Sequence, residues 1–252
     1  MLLPRIIPVL LVRNNGLVKT VKFKDAKYVG DPLNAVKIFN EKEVDELIII
    51  DIDATAKNSE PNYKLIESVA AECRMPLCYG GGIKTEEQAQ RILGLGVEKV
   101  ALSSALFDFP DMVKNLSEKV GKQSIVGVLD VKRNIFGKKY SCITHNGSNN
   151  RKVEVHDFIK NISELGLGEL LINSIDNDGM MKGYDLDLIS SLKKEINIPL
   201  TVLGGAGTMN DIHMLIKMFP IIGAAAGSLF VFKGKYKAVL INYPNANEKI
   251  KY

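Results

Sequence analysis

The 252-residue chain has no tryptophan, three cysteines and three histidines. Cys73, Cys78 and Cys142 are odd in number and no pair has C-x-x-C spacing, so neither a disulfide framework nor a zinc site is expected. His145, His156 and His213 are scattered, and none stands at metal-ligand spacing from an acid or a cysteine. No metal and no cofactor are expected. No apolar run reaches about 18 residues, which excludes a helical membrane span. The opening stretch, MLLPRIIPVLLVRNNG, is apolar but carries Arg5 and Pro8. It lacks a basic leader and a small-residue cleavage site, so it reads as a buried strand of a cytoplasmic protein. A dominant charge is missing too. Lys and Arg total 33 against 29 for Asp and Glu, a net +4 spread along the chain. That gives no basis for nucleic-acid binding but suits a small anionic ligand. Low-complexity segments and linkers are absent. With 46% apolar and 25% charged residues, the composition is that of a globular protein.

Short apolar runs alternate with amphipathic stretches. The runs are Ile6–Val12, Leu47–Ile52, Pro76–Tyr79, Lys99–Leu102, Ser124–Val131, Leu170–Asn173, Leu200–Leu203 and Ile221–Ala225. Each is short enough for a strand and apolar enough to be buried on both faces, as in a parallel sheet covered by helices. Helical patterns span Leu33–Lys42, Tyr63–Glu72, Thr85–Leu95, Asp111–Glu118, Val155–Leu165, Leu186–Glu195 and Asn210–Met218. Pro110 and Asp111 supply a helix start signal. Eight strands with interleaved helices mean an α/β barrel or a large doubly wound sheet.

An internal repeat decides between the two. PLCYGGGIKT from Pro76 aligns with PLTVLGGAGT from Pro199, an offset of 123. The same offset aligns ELIIIDID from Glu46 with ELLINSID from Glu169, and Phe107 with Phe230. A constant register across strands and loops predicts two duplicated (β/α)₄ halves, about 1–120 and 121–252. Together they close one (β/α)₈ barrel without edges, a single domain over 1–252. After Phe232 the expected eighth helix is replaced by KGKYKAVLINYPNANEKIKY, which reads equally as a short helix, a strand or an irregular tail.

Glycine- and serine-rich loops follow four of the strands: Gly80–Gly82, Ser103–Ala105, Gly204–Gly207 and Ala226–Ser228. Glycine admits close backbone approach, and hydroxyls with amides at a helix start bind phosphate. In matched pairs they predict two phosphate cradles on opposite sides of one barrel mouth, hence a ligand with a phosphate at each end. Asp51, Asp53, Asp130, Asp176 and Asp178 fall at the C-terminal ends of strands, where barrel chemistry occurs. Asp130 closes an otherwise apolar strand and is the strongest candidate for proton transfer. Asp51 and Asp185 read as loop-anchoring or capping residues. At the position matching Asp130 in the first half stands Leu11. At the opposite rim, Arg5, Glu46, Lys99 and Glu169 bring two cations and two anions to the barrel floor. Taken alone, such a ring is a stability feature.

These segments, RIIPVLLV with NGLVKTVKF and GDP, ELIIIDIDAT, YGGGIKT, VLDVKR, NSIDNDGMMKGYDL and GGAGT, resemble the cyclase subunit of imidazole glycerol phosphate synthase up to about Phe232. The resemblance implies a lyase-type subunit of a glutamine amidotransferase complex. A glutaminase docks at the barrel floor, and ammonia passes up the barrel to a bisphosphate at the top. It implies phosphate sites at Gly82, Ser103, Ser104, Asp178, Gly179, Gly205, Gly227 and Ser228. Lys19 matches the loop lysine, and Arg5, Glu46, Lys99 and Glu169 match an ammonia gate. One catalytic aspartate falls on Asp130; the other falls on Leu11. A general acid or base contributes about 10²–10⁴-fold, or roughly 3–5 kcal/mol, so ordinary imidazole formation is expected to be crippled while ammonia conduction survives. The leading expectation is therefore a divergent branch of the family. It delivers ammonia for amidination of a phosphorylated or nucleotide-activated amino sugar in surface polysaccharide biosynthesis, and a sugar amidotransferase is a possible further partner. The alternatives are a histidine-pathway cyclase that works without the acid at 11, and a non-catalytic scaffold that activates a glutaminase.

Overall fold

A computed structural model describes residues 4–134 and 139–249. The start of the opening apolar run and the last residues of the tail lie outside them. Eight parallel strands form the centre: β1 (Arg5–Arg13), β2 (Leu47–Asp51), β3 (Leu77–Gly80), β4 (Lys99–Leu102), β5 (Ile125–Arg133), β6 (Glu169–Ser174), β7 (Leu200–Leu203) and β8 (Gly223–Ala226). Each pairs with the next, and β8 returns to β1, so the sheet closes into an α/β barrel. All eight runs expected from the sequence are strands of this barrel.

The strands are apolar on both faces because each face meets its own core. Residues alternate across a strand, and the outward set, including Ile6, Leu10, Leu47, Ile49, Val100 and Leu170, packs under the helices. The inward set fills the barrel: Ile7, Val9, Ile48, Cys78, Ala101, Val126, Val128, Leu171, Leu203 and Ala225. Pro8 is tolerated inside β1 because of where it falls. It is the last β1 residue in register with β8, and pairing with β2 begins at Val9.

The covering helices are α1 (Pro32–Glu41), α2 (Tyr63–Glu72), α3 (Glu86–Gly94), α4 (Pro110–Val120), α5 (Val155–Lys160), α6 (Leu186–Leu192) and α7 (Met209–Met218). Proline opens α4 at its first turn. Thr85 and Thr208, 123 positions apart, each cap a helix with a reciprocal capping box, to Gln88 before α3 and to Asp211 before α7. Val155–Leu165 is a helix only to Lys160, followed by one 3₁₀ turn over Ile162–Leu165. Among the described residues no helix is long and apolar enough to cross a membrane.

Two antiparallel hairpins were not foreseen. One (Gly16–Val21 with Lys24–Gly30) extends β1; the other (Tyr140–Thr144 with Asn149–Glu154) extends β5. The first turns at Lys22 and Phe23, both at positive φ and neither a usual turn residue, so the sequence carries no turn signature there. The two tips meet: Gly147 of the second lies against the Phe23 ring of the first. The segment after Phe232 contains the small hairpin of Phe232–Lys233 with Ala238–Val239 and a one-turn helix, Ala246–Lys249, instead of a covering helix. Between them Tyr243 is buried, donating its hydroxyl to the carbonyl of Ile6 (2.8 Å) and accepting from the amide of Asp45 (3.2 Å).

Candidate functional site at the two ends of the barrel

The C-terminal ends of the strands surround a cavity of about 1080 Å³, continuous with solvent. Lys19, Gly82, Ser103, Ser104, Asp130, Asp178, Gly227 and Ser228 all line it. Gly179 and Gly205 do not. A Cβ at Gly179 would run into the carbonyl of Thr20, and one at Gly205 into that of Gly183, so both serve close packing behind the wall. The two glycine loops are built alike. Gly81 presses on the backbone of Asp51 at the end of β2, and Gly204 presses on that of Ser174 at the end of β6.

Asp130 is in register with Asn173 of the neighbouring strand, whose Nδ2 donates to Asp130 Oδ1 at 2.9 Å. Burial pushes the Asp130 carboxyl up to about 7, against the Asn173 hydrogen bond, and Asp178 adds to the rise. Lys19 is buried and donates to the carbonyl of Val9 at 2.5 Å. Its burial brings the ammonium down to about 8, partly offset by Asp178. Asp178 is held by the first hairpin: Thr20 Oγ1 donates to its carboxylate at 3.1 Å, and Lys22 N donates to its carbonyl at 3.0 Å. Burial raises its pKa, against Lys19 and Thr20. A carboxylate so engaged anchors the hairpin that carries Lys19.

The first half of the mouth differs in kind. Leu11 is in register with Ile50, and both line the cavity. An acid–amide pair on one side thus faces an aliphatic pair on the other. The remaining strand-end carboxylates have structural partners. Asp51 accepts the amides of Asp53 and Ala54, Asp53 pairs with Arg13 and Lys57, and Asp176 accepts the amide of Arg133. Asp185 caps α6. Asn173, Thr20, His145 and Asn146 also line the cavity, and sequence reasoning missed them. Asn173 interrupts the apolar run of β6 as Asp130 interrupts that of β5, a detectable signal; His145 sits on the unforeseen hairpin, whose turn the pair Asn146-Gly147 marks in the sequence.

At the other end, Arg5, Glu46, Lys99 and Glu169 form a closed ring. Arg5 binds both glutamates, reaching Glu169 Oε1 at 2.7 Å, and Lys99 lies 2.8 Å from Glu46 and 2.9 Å from Glu169. Thr201, fully buried, donates to Glu169 at 2.5 Å. Burial works against these charges, but Glu169 and Glu46 outweigh it and hold Arg5 and Lys99 above their usual values. Arg5 and Lys99 likewise hold Glu169 below its own. Glu98 stays out of the ring and accepts the amide of Leu77. Between ring and mouth the barrel interior is aliphatic apart from Cys78, a free thiol like Cys73 and Cys142. Among the described residues no cluster of His, Cys, Asp or Glu is arranged to hold a metal ion.

Comparison with known proteins agrees with the fold. The family model described as histidine biosynthesis protein matches residues 5–237. A provisionally named imidazole glycerol phosphate synthase subunit, hisF3, of Vibrio vulnificus is 63% identical over 100% of this chain and 96% of its own length. The provisionally named hisF2 subunit of Pseudomonas aeruginosa is 48% identical over 97% of each chain. The imidazole glycerol phosphate synthase subunit HisF of Natranaerobius thermophilus is 35% identical over 96% of each chain. The chain belongs to the HisF family of imidazole glycerol phosphate synthase cyclase subunits.

Proposed function

We propose that this chain is the ammonia-consuming synthase subunit of a cytoplasmic glutamine amidotransferase complex, acting on a phosphorylated acceptor at the barrel mouth. The observation that carries the reading is the pairing of two ends. A compensated charge ring closes the floor, an aliphatic interior follows, and Asp130 with Lys19 waits at the top. An aliphatic interior favours neutral ammonia over ammonium, since an unpaired ion there is costly. A glutaminase partner docks at the floor and releases ammonia beneath the ring of Arg5, Glu46, Lys99 and Glu169. Asp130 moves the proton and Lys19 positions an anionic group. Ser103, Ser104, Gly82, Gly227 and Ser228 receive phosphate.

The names of the relatives and the matched family favour imidazole glycerol phosphate formation, as in histidine biosynthesis. A second reading is favoured by Leu11 and Ile50, which remove proton transfer from one side of the mouth. In it the ammonia amidinates a phosphorylated or nucleotide-activated amino sugar. One assay separates them: the free subunit is given the bisphosphate substrate and ammonium salt, and imidazole product is measured. Turnover within about tenfold of an ordinary cyclase supports the histidine-pathway reading; a loss of 10²-fold or more supports the second. Failure to associate with a cognate glutaminase by light scattering or cross-linking would overturn both.

A further inference from the structure

We infer that Asn173 is a positioning residue for Asp130, and that the two side chains form one functional unit. The inference rests on the reading of Asp130 as the acid of the mouth. Asn173 is buried, its Nδ2 donates to Asp130 Oδ1 at 2.9 Å, and the two residues face each other in register across β5 and β6. Its Oδ1 is buried without a partner among the described residues, and Gly204 packs against it, so no other polar contact of its carbonyl among them holds the amide there. A buried amide with half its hydrogen-bonding capacity unused is costly as a purely structural element.

The first half of the barrel offers a comparison. Its residue in register with Leu11 is Ile50, the position that matches Asn173 at the 123-residue offset. The half of the barrel that has no acid at this position has no amide beside it either, so acid and amide occur together in one half and are both absent from these two positions of the other.

A donor aimed at a carboxylate favours its ionised form and fixes which lone pair it presents. Asn173 thus opposes the burial that disfavours the charged form of Asp130, and holds Oδ1 so that Oδ2 is left for the acceptor. The other groups around Asp130 are Asp178 on the loop after β6, Lys19 on the first hairpin, and Cys142 and His145 on the second. None of them donates to Asp130 among the hydrogen bonds of the described residues.

The test needs no substrate, so its outcome is independent of the proposed function. The full chain is made with ¹³C-carboxyl aspartate, and the Asp130 resonance is assigned by its absence in Asp130→Asn. In Asn173→Leu the Asp130 midpoint is expected to rise by about one pH unit, and Asn173→Ser, which keeps a shorter donor, should return part of the shift. A midpoint within about 0.2 unit of wild type in folded Asn173→Leu overturns the inference. If Asn173→Leu fails to fold, the pair is transplanted instead. The carboxylate introduced by Leu11→Asp should titrate about one unit lower when Ile50→Asn accompanies it than when Ile50 is kept. Equal midpoints overturn the inference equally.

Discussion

The ammonium of Lys19 rests on the backbone of Gly227: a Cβ at Gly227 would overlap Nζ, while Nζ itself donates to the carbonyl of Val9 at 2.5 Å. The cation on the first hairpin is therefore lodged in the loop after β8, at the other end of the chain. Gly227→Ala is expected to expel it and weaken binding of inorganic phosphate about tenfold, read by calorimetry, with little change in melting temperature. Gly94→Ala, in open space at the end of α3, should leave phosphate binding unchanged. Equal affinities for both variants and wild type would remove Gly227 and Lys19 from the anion site.

Lys19 and Asp130 both store strain in their charged forms. The ammonium of Lys19 falls from 10.5 to about 8 on folding, so its burial costs stability while it is protonated. That cost shrinks as pH rises from 8 toward 10.5. Lys19→Met should stabilise the fold by about 2–3 kcal/mol at pH 7 and by much less at pH 10, measured by urea unfolding.

The carboxyl of Asp130 rises from 3.8 to about 7, so its cost runs the other way: absent below 3.8 and full above 7. Asp130→Asn should be nearly neutral for stability at pH 4 and stabilising by roughly 2–4 kcal/mol at pH 8. A constant difference across that range would show that Asp130 titrates normally.

Lys99→Ala tests the floor. It leaves Arg5 to balance two buried glutamates, so the ring no longer closes. Glutamine hydrolysis by the partner should continue, with the ratio of glutamate released to aminated product rising at least about twofold. Added ammonium should reach the mouth almost as well as in wild type. A ratio held at its wild-type value would make the ring structural only.

Leu11→Asp tests the proposal that an acid is wanting on this side of the mouth. It places a carboxylate across the mouth from Asp130, and any residual imidazole formation should rise by about 10²-fold. No rise, in a folded variant that still binds phosphate, would mean that the acceptor is not the bisphosphate.

The barrel was legible because both faces of its strands are covered, which leaves near-continuous runs such as LIIID in β2. The repeat from Pro76 to Pro199 carried the glycine loops and the capping threonines with it. The mouth was legible where one polar residue interrupts an apolar run, as Asp130 does. It was illegible where a side chain arrives from a turn with no turn residues, as Phe23 does; the turn beside His145 was marked by Asn146-Gly147, but not the place its side chain reaches. The packing roles of Gly179 and Gly205 were hidden too, since a glycine that admits a ligand and one that admits a backbone read the same.

Tyr243 has a consequence for how the protein is made. Its hydroxyl joins the carbonyl of Ile6 to the amide of Asp45, so a residue 237 positions later than Ile6 secures β1. β1 likewise finds its second neighbour only once Gly223–Ala226 has been synthesised. On the ribosome the first strand therefore waits, one edge open, for nearly the whole length of the chain to follow it out. At about 5–20 residues per second that is a delay of roughly ten to fifty seconds, during which the stretch Arg5–Pro8, which neither β2 nor the hairpin pairs, stays open to other chains.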